Sequence, residues 1–476
     1  MNMLNNYIIK EKKAVFICLT ICLLLIIPII LSGSIYIDDN TRVIRHFNWT
    51  GDGRFLANYF FEILSLGNGV LDYYPWTNIL SSLIIGFSSI IIAYSLNIKG
   101  TTNIILICSG MMSSPFILSN LSYRFDSIIM AISFTVAIIP FIFYSNIKKF
   151  FIVSYCCLLI SSYLYQPSVS AFVCMAIVYS TYLMNSIKCI LKTLSLSAIV
   201  FSLSIITFFI INNINGGVDR SELFFHSDNP IGILEYNLNR SAQLIFWSSN
   251  GITKIIYLIA SIAFISSCIK TAIKSLSFVF IYIFSLFSII ILSFILNSVL
   301  LSPWFTSRTM ICFPFVVTYC FLLFIKNFNL SIKLKNIFST ITVFCSLIFC
   351  SIYANALSSQ DSLNRVYFSK IMSKVDGDIK KLAVYGEQPR PREFVRANSV
   401  YPLLDNIVPN YMKRGSGWAQ VYLHRNSSRF RMITMQEQEQ IFKESCGNGV
   451  WNNGELFDYK VFKNVLIISF SGQFCK

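Results

Sequence analysis

Adjacent carboxylates at Asp38 and Asp39 close the first long apolar run of the chain. Arg42, the turn GDGR ending at Arg54, and Asp72 ahead of Pro75 follow within the same polar stretch. A carboxylate pair at the end of an apolar run costs desolvation energy unless it faces water or a partner. One of the two can then act as a general base, taking the proton of a hydroxyl as it attacks, with the neighbouring charge raising its pKa. Farther along, SPFILSNLSYRFDS packs Tyr123, Arg124 and Asp126 into a short turn. Tyr165, Gln166 and Pro167 form a second turn, and Pro303, Trp304 and Arg308 a third. Arginine presents a planar fork that matches phosphate and carboxylate, and aromatic rings offer flat apolar faces to sugars. Together these residues predict a wet cavity at membrane level for a phosphorylated, sugar-bearing lipid. The plainer readings are local Arg–Asp pairing that shields loop charge, and the ordinary enrichment of Tyr and Trp at membrane interfaces.

The elements that must position these groups are membrane helices. Of 476 residues, 55% are apolar and 13% charged, against roughly 25% charged in a soluble domain, and mean hydropathy is +0.64. That balance excludes a soluble enzyme, a disordered protein and a secreted disulfide scaffold. Apolar runs lie near 14–37, 77–96, 101–118, 126–146, 150–165, 168–187, 193–212, 251–269, 275–300, 307–325 and 336–356. They predict a polytopic α-helical membrane protein of about 11 spans. The first run is too long for a signal-peptide core and lacks a small-residue cleavage site before Asp38, so it reads as an uncleaved span. With the N-terminus inside, 13 of the 14 lysines before residue 357 fall in cytoplasmic segments, Lys254 being the exception, as the positive-inside rule requires. All seven arginines of that region (Arg42, Arg45, Arg54, Arg124, Arg220, Arg240 and Arg308) fall outside, as does Asp219. Topogenesis disfavours external positive charge, so these arginines have another task.

Residues 1–356 thus form a transmembrane domain with a first external loop at 38–76 and a central one at 213–250. Within the first loop, RFLANYFFEIL reads as an interfacial amphipathic helix with Phe55, Tyr59 and Phe60 toward lipid. Residues 357–476 hold 17 Lys+Arg and 11 Asp+Glu and no run of spanning length. They read as a small exported α/β domain, a lid or acceptor-docking module. Helices are expected over 357–380 and 417–434, and strands at KLAVYG and KVFKNVLIISF. Cys446 and Cys475, the two cysteines away from apolar spans, are expected to form a disulfide in an oxidising compartment. His46, His226 and His424 are scattered, which argues against a histidine zinc site or a catalytic triad.

Asp38-Asp39, Arg42, the GDGRFLANYFFEIL segment, Asp72 with Pro75, and PFILSNLSYRFDS resemble the phage-type, serotype-converting O-antigen glucosyltransferases, the glucosyltransferase II family. The resemblance covers size, span number, first loop, second external turn and an exported C-terminal domain; over 130–300 it is one of hydropathy only. It implies a membrane-embedded, GT-C-like glycosyltransferase of the bacterial inner membrane. Such an enzyme takes a glucosyl or other hexosyl group from undecaprenyl phosphate and passes it to a lipid-linked O-antigen unit at the periplasmic face. A donor synthase and a donor flippase work in the same pathway. Under this reading Asp38 or Asp39 is the base, and Arg42, Arg54, Arg124 and Arg308 hold the donor phosphate. Glu62, Asp72, Tyr123, Asp126, Tyr165, Gln166 and Trp304 contact sugar or acceptor.

The residues suit that chemistry. A lipid phosphate leaves without a protonating acid and needs cationic stabilisation, so one carboxylate suffices where glycosidases use two, and direct displacement inverts the anomeric centre. No cofactor is required, although Asp38, Asp39 and Asp126 offer oxygen ligands for Mg²⁺ or Mn²⁺. No P-loop occurs, the short cytoplasmic loops leave no room for a nucleotide-sugar domain, and a net charge of +16 in a membrane protein is no sign of nucleic-acid binding. An O-antigen polymerase, which calls for a larger central loop, and a lipid-linked glycan transporter, which calls for mid-span charges and repeat symmetry, are the alternatives.

Overall fold

The computed structural model describes residues 2–45, 49–214, 222–303, 305–328, 332–375, 379–415, 417–427 and 431–473. Each apolar run predicted above is helical, since only a helix or a closed barrel satisfies its own backbone in lipid. Among the described residues eight helices are individually long and apolar enough to cross a membrane: Lys12–Ser32, Trp76–Ser95, Asp126–Phe143, Ile147–Leu164, Ile187–Ile214, Thr253–Ala272, Ser307–Asn327 and Ile332–Met372. A ninth results if Thr101–Met112 and Pro115–Leu121, bent by 72°, count as one. The bend falls at Ser114, whose extended backbone is what a residue before proline adopts. The other two expected runs are shorter helices, Ser170–Leu183 and Leu276–Leu292. The turn at Gln166-Pro167 takes the start of one, and a break at Phe294 takes the end of the other.

The bundle closes through small residues, which let helix backbones approach in a solvent as apolar as their side chains. Ser82 donates to the Cys22 carbonyl at 2.8 Å and Ser88 meets Thr135 at 2.8 Å. At Gly110 a Cβ would lie 3.1 Å from the Thr318 Cα. Contacts sort by end. The Tyr7 hydroxyl donates to Ile98, Glu11 accepts from Gly100, Lys335 donates to Asn103 and Lys326 donates to the Thr181 carbonyl. These gather the segments that charge sorting assigns to the cytoplasm. The polar loops meet at the opposite end of the Lys12–Ser32 helix.

The first loop carries two short helices, Asp39–Arg45 and Phe55–Leu64. Ala57 and Phe61 face the protein, and the exposed apolar groups are Tyr59, Ile63, Leu64 and Leu66. Phe55 and Phe60, expected toward lipid, are half-buried, because Phe55 meets Tyr163 and Phe60 lies edge-on to Phe61.

The helix Ile332–Met372 is 41 residues long, about 60 Å at 1.5 Å per residue. It runs without a break through the boundary expected at 356/357. Beyond it, β1 (Lys381–Tyr385), β2 (Asp458–Phe462) and β3 (Val465–Ser469) form a sheet in the order β1-β3-β2, with β3 parallel to β1 and antiparallel to β2. The stretch expected as one strand, KVFKNVLIISF, is a hairpin instead. Lys463 and Asn464 take φ of 45° and 60°, the conformation a two-residue type I′ turn requires. The helix expected over 417–434 is Gly417–Asn426, and residues 428–430 lie outside the described ones. Cys446 is disulfide-bonded; its expected partner, Cys475, lies outside the described residues. The segment Tyr401–Tyr411 leaves the sheet for the membrane helices. The Tyr401 ring packs on Phe349 at 5.3 Å and covers Gly251, whose φ of +62° and missing side chain make room for it.

Gly110→Leu should lower the melting temperature of the detergent-solubilised protein, an overpacking cost of roughly 1–3 kcal/mol; an unchanged melting point would show that the Gly110–Thr318 contact is loose. Cys446→Ser should make the sheet more sensitive to limited proteolysis, since losing a native disulfide costs about 2–5 kcal/mol; an unaltered digestion pattern would count against a stabilising role.

Candidate active site

Asp126, a residue only 2% exposed, opens its helix. Arg42 Nη2 lies 2.9 and 3.0 Å from its two oxygens, and Trp49 Nε1 donates to Oδ1 at 2.6 Å. The Arg42 guanidinium rests 3.8 Å over the Trp49 indole, which stacks on Phe61. Arg308 Nη1 approaches Asp126 at 4.0 Å. The sugar-binding role expected of Asp126 and the phosphate role expected of Arg42 thus fall on two side chains committed to each other.

The adjacent aspartates have different surroundings. Asp39 is fully buried at the start of its short helix. Its Oδ2 accepts the backbone N–H of Arg124 at 2.8 Å and of Tyr36 at 3.4 Å, and Oδ1 that of Phe125 at 3.3 Å. Burial pushes its carboxyl well above the usual range, with the Arg124 N–H pulling the other way. Asp38 retains 19% side-chain exposure and accepts from Arg308 Nη1. The Arg308 guanidinium lies 5.0 Å over the Tyr123 ring, and its carbonyl accepts from Asn120 at 2.9 Å and from the Tyr165 hydroxyl at 3.0 Å.

Two further arginines flank this pair. Arg54 donates from Nε to Gln166 at 2.8 Å, lies 3.7 Å from Asp52 and 4.9 Å over the Tyr165 ring, while Gln166 Nε2 donates to the Asp52 carbonyl. Arg124 pairs with Asp72 at 3.1 Å and donates to the carbonyls of Gly33 at 2.6 Å and Ser34 at 3.3 Å. It clamps the end of the first span to the loop. Glu62 is exposed on the Phe55–Leu64 helix and is not among the groups meeting at Asp126. Trp304, His46, Asp219 and Arg220 lie outside the described residues. Asp39 turns to backbone N–H groups while Asp38 and Asp126 both approach Arg308, and among the described residues no three His, Cys, Asp or Glu groups gather to hold a metal.

Trp49 and Tyr36 were not singled out in the sequence. Trp49 sits two residues before the GDGR turn, a signal that was available. Tyr36, edge-on to Tyr123 at 4.8 Å, reads in the sequence as the tail of an apolar span.

The family model for glucosyl transferase GtrII matches residues 27–325, which contain every group described in this site. A protein of Salmonella phage P22, named as an uncharacterized 55.3 kDa protein in the gtrB 5′ region, is 27% identical over 131 residues. The match spans 27% of each chain, so well under two thirds of that relative is covered. No solved structure matches.

Asp126→Asn should cost about 3–5 kcal/mol by stranding the buried Arg42 charge, seen as a loss of folded protein after solubilisation; a wild-type yield and melting point would refute the buried pair. Asp39→Asn should also destabilise, by about 1–3 kcal/mol, because an amide replaces one acceptor oxygen by a donor facing backbone N–H groups. Asp38→Asn should destabilise less, because the Asp38 carboxylate is partly exposed and Arg308 keeps Asp126 at 4.0 Å, and equal destabilisation of both variants would remove the distinction between the two carboxylates.

Proposed function

The chain belongs to the glucosyl transferase GtrII family, and from that membership we propose that it transfers a glucosyl group from undecaprenyl phosphate to a lipid-linked O-antigen acceptor at the periplasmic face of the bacterial inner membrane, altering the serotype. The Asp38–Arg308 pair is the observation that carries this reading. It sets a partly exposed carboxylate beside a guanidinium where the polar loops converge. The acceptor oxygen attacks the anomeric carbon as the bond from that carbon to the phosphate oxygen breaks. The hydroxyl proton passes to Asp38, and the electron pair of the broken bond leaves on the lipid phosphate. Arg308 and Arg54 balance that charge, preorganised by Tyr123, Tyr165 and Gln166. Direct displacement inverts the anomeric centre. Asp39, Arg42, Arg124 and Asp126 hold the frame, and no step runs through a metal.

An apolar groove supports a lipid-linked donor. It is a shallow, open groove of about 400 Å³ between the Lys12–Ser32, Trp76–Ser95 and Asp126–Ile138 helices, and Leu19, Leu80, Leu83, Phe87 and Val136 line it. Leu80 lies one turn from Thr77, whose hydroxyl donates to the Arg124 carbonyl, so the groove starts beneath the polar cluster and offers an apolar face to a lipid chain.

The proposed threading has 11 crossings, counting Ser170–Leu183, Leu276–Leu292 and the bent pair. Residues 1–356 then form the transferase domain, residues 357–476 lie in the periplasm with the first loop, and the N-terminus is cytoplasmic. Charge sorting and the end-to-end sorting of contacts support it, as does a disulfide at Cys446. A synthase and a flippase supply the donor on the outer leaflet.

Membranes carrying the protein should move label from polyprenyl-phosphate glucose to a lipid-linked O-antigen acceptor. Asp38→Asn should cut that rate about 100-fold or more, the usual worth of a general base. Normal transfer by Asp38→Asn would remove it as the base, and no transfer from any polyprenyl-linked hexose would return the weight to a polymerase or a transporter.

A further inference from the structure

The segment between Tyr401 and Tyr411 grips the backbone immediately before each member of the Asp38–Arg308 pair. The Tyr411 hydroxyl accepts the Ile37 N–H at 3.0 Å and donates to the Ile35 carbonyl at 2.9 Å. Asn406 Oδ1 accepts from the Ser307 N–H at 2.9 Å and the Ser307 hydroxyl at 2.6 Å, and Asn406 Nδ2 donates to the Phe305 carbonyl at 2.9 Å. Between them, the Tyr36 hydroxyl donates to the Ile407 carbonyl at 2.7 Å. One short stretch of the C-terminal region thus binds the residue preceding Asp38 and the residue preceding Arg308, which stand 270 positions apart in the chain.

The grip falls on strained backbone. Ile37 has φ +37°, a region that a β-branched residue avoids and that persists only where surrounding structure over-determines it. Tyr411 bonds the Ile37 N–H and the carbonyl two residues before it. The gripping segment is itself anchored. Arg390 donates to Gln360 of the long helix at 3.1 Å and to the Val408 carbonyl at 3.0 Å, and pairs with Asp405 at 3.1 Å. The Tyr411 ring stacks on Tyr422. The connection from the long helix to the two charges is therefore continuous.

We propose that Asn406 and Tyr411 are positioning residues for the transfer, setting the geometry of the Asp38–Arg308 pair, so that seating of the C-terminal domain on the bundle completes the site. The inference rests on Asp38 acting as the base. Because both residues act through the backbone of the pair and not on the substrates, their loss lowers turnover more than it weakens donor binding.

The test uses the full-length protein in membranes, with polyprenyl-phosphate glucose as donor and Asp38→Asn as the reference. Tyr411→Phe keeps the ring and removes only the hydroxyl; Asn406→Ala removes the other grip. Each should lower kcat about 10- to 100-fold, the range a displacement of the reacting groups by about 1 Å produces. KM for the donor should stay within about threefold, and the melting temperature within a few degrees. Amide hydrogen exchange over residues 34–39 should speed up in Tyr411→Phe. Wild-type kcat in both variants, with Asp38→Asn inactive, overturns this inference alone. A fall in rate that tracks the folded fraction, with exchange over 34–39 unchanged, also overturns it and leaves a merely structural contact. Full activity in Asp38→Asn overturns the base assignment and this inference with it.

Discussion

A carboxylate at the head of a membrane helix has to be neutralised where it stands, and the polar end of this bundle is organised around that requirement at Asp126. Removing both ions of a pair from water costs several kcal/mol each, repaid only by close geometry and full hydrogen bonding. Arg42 and Trp49 meet the demand from the first loop, at 2.9 and 2.6 Å. That pairing draws the loop over the bundle and fixes the short helix Asp39–Arg45. Because the Arg42 N–H closes a helical turn on the Asp38 carbonyl, the position of Asp38 follows from that of Arg42. Arg308 arrives from a distant helix and lies between Asp38 and Asp126.

The same constraint divides two neighbouring aspartates. The helix that begins at Asp39 turns one carboxylate inward, where backbone N–H groups of the 124–125 turn take it up, and leaves the other at the edge, partly open to water. A buried carboxylate with its lone pairs taken is poorly placed to accept a proton from an incoming hydroxyl. The exposed one, already paired with a cation, is placed for it. In the proposed reaction the division of labour comes from geometry, the residue type being identical.

Three of the arginines that the proposed threading puts outside find an explanation here. Arg42, Arg124 and Arg308 are each matched by an aspartate, so in that threading they add little net positive charge to a face that topogenesis keeps free of it. Their forks hold carbonyls and aromatic rings as well as carboxylates, which lysine does poorly. Local Arg–Asp pairing, the plainer of the two sequence readings, describes Arg42 and Arg124. A phosphate role fits Arg308 and Arg54, which stand over Tyr123 and Tyr165.

The amino-acid sequence alone determined the membrane class, the positions of the apolar helices and the segments that carry chemistry, because hydropathy and charge act residue by residue and leave a local record. It also held the residues of the cluster, since Asp38, Arg42, Tyr123, Asp126, Tyr165, Gln166 and Arg308 stand out by type in apolar surroundings. Helix lengths were less legible: Pro115 marks the break at Ser114, whereas no Pro or Gly stands at 293–296 to mark the break at Phe294. The Lys463-Asn464 hairpin was hidden because no glycine marks the turn. Only the tertiary structure decided which aspartate is open, which arginine is committed and which turn of the C-terminal region grips the pair. Those outcomes are contacts between segments as far apart as Ile37 and Tyr411, and neither partner's identity specifies a contact that exists only once both chain segments are folded against each other.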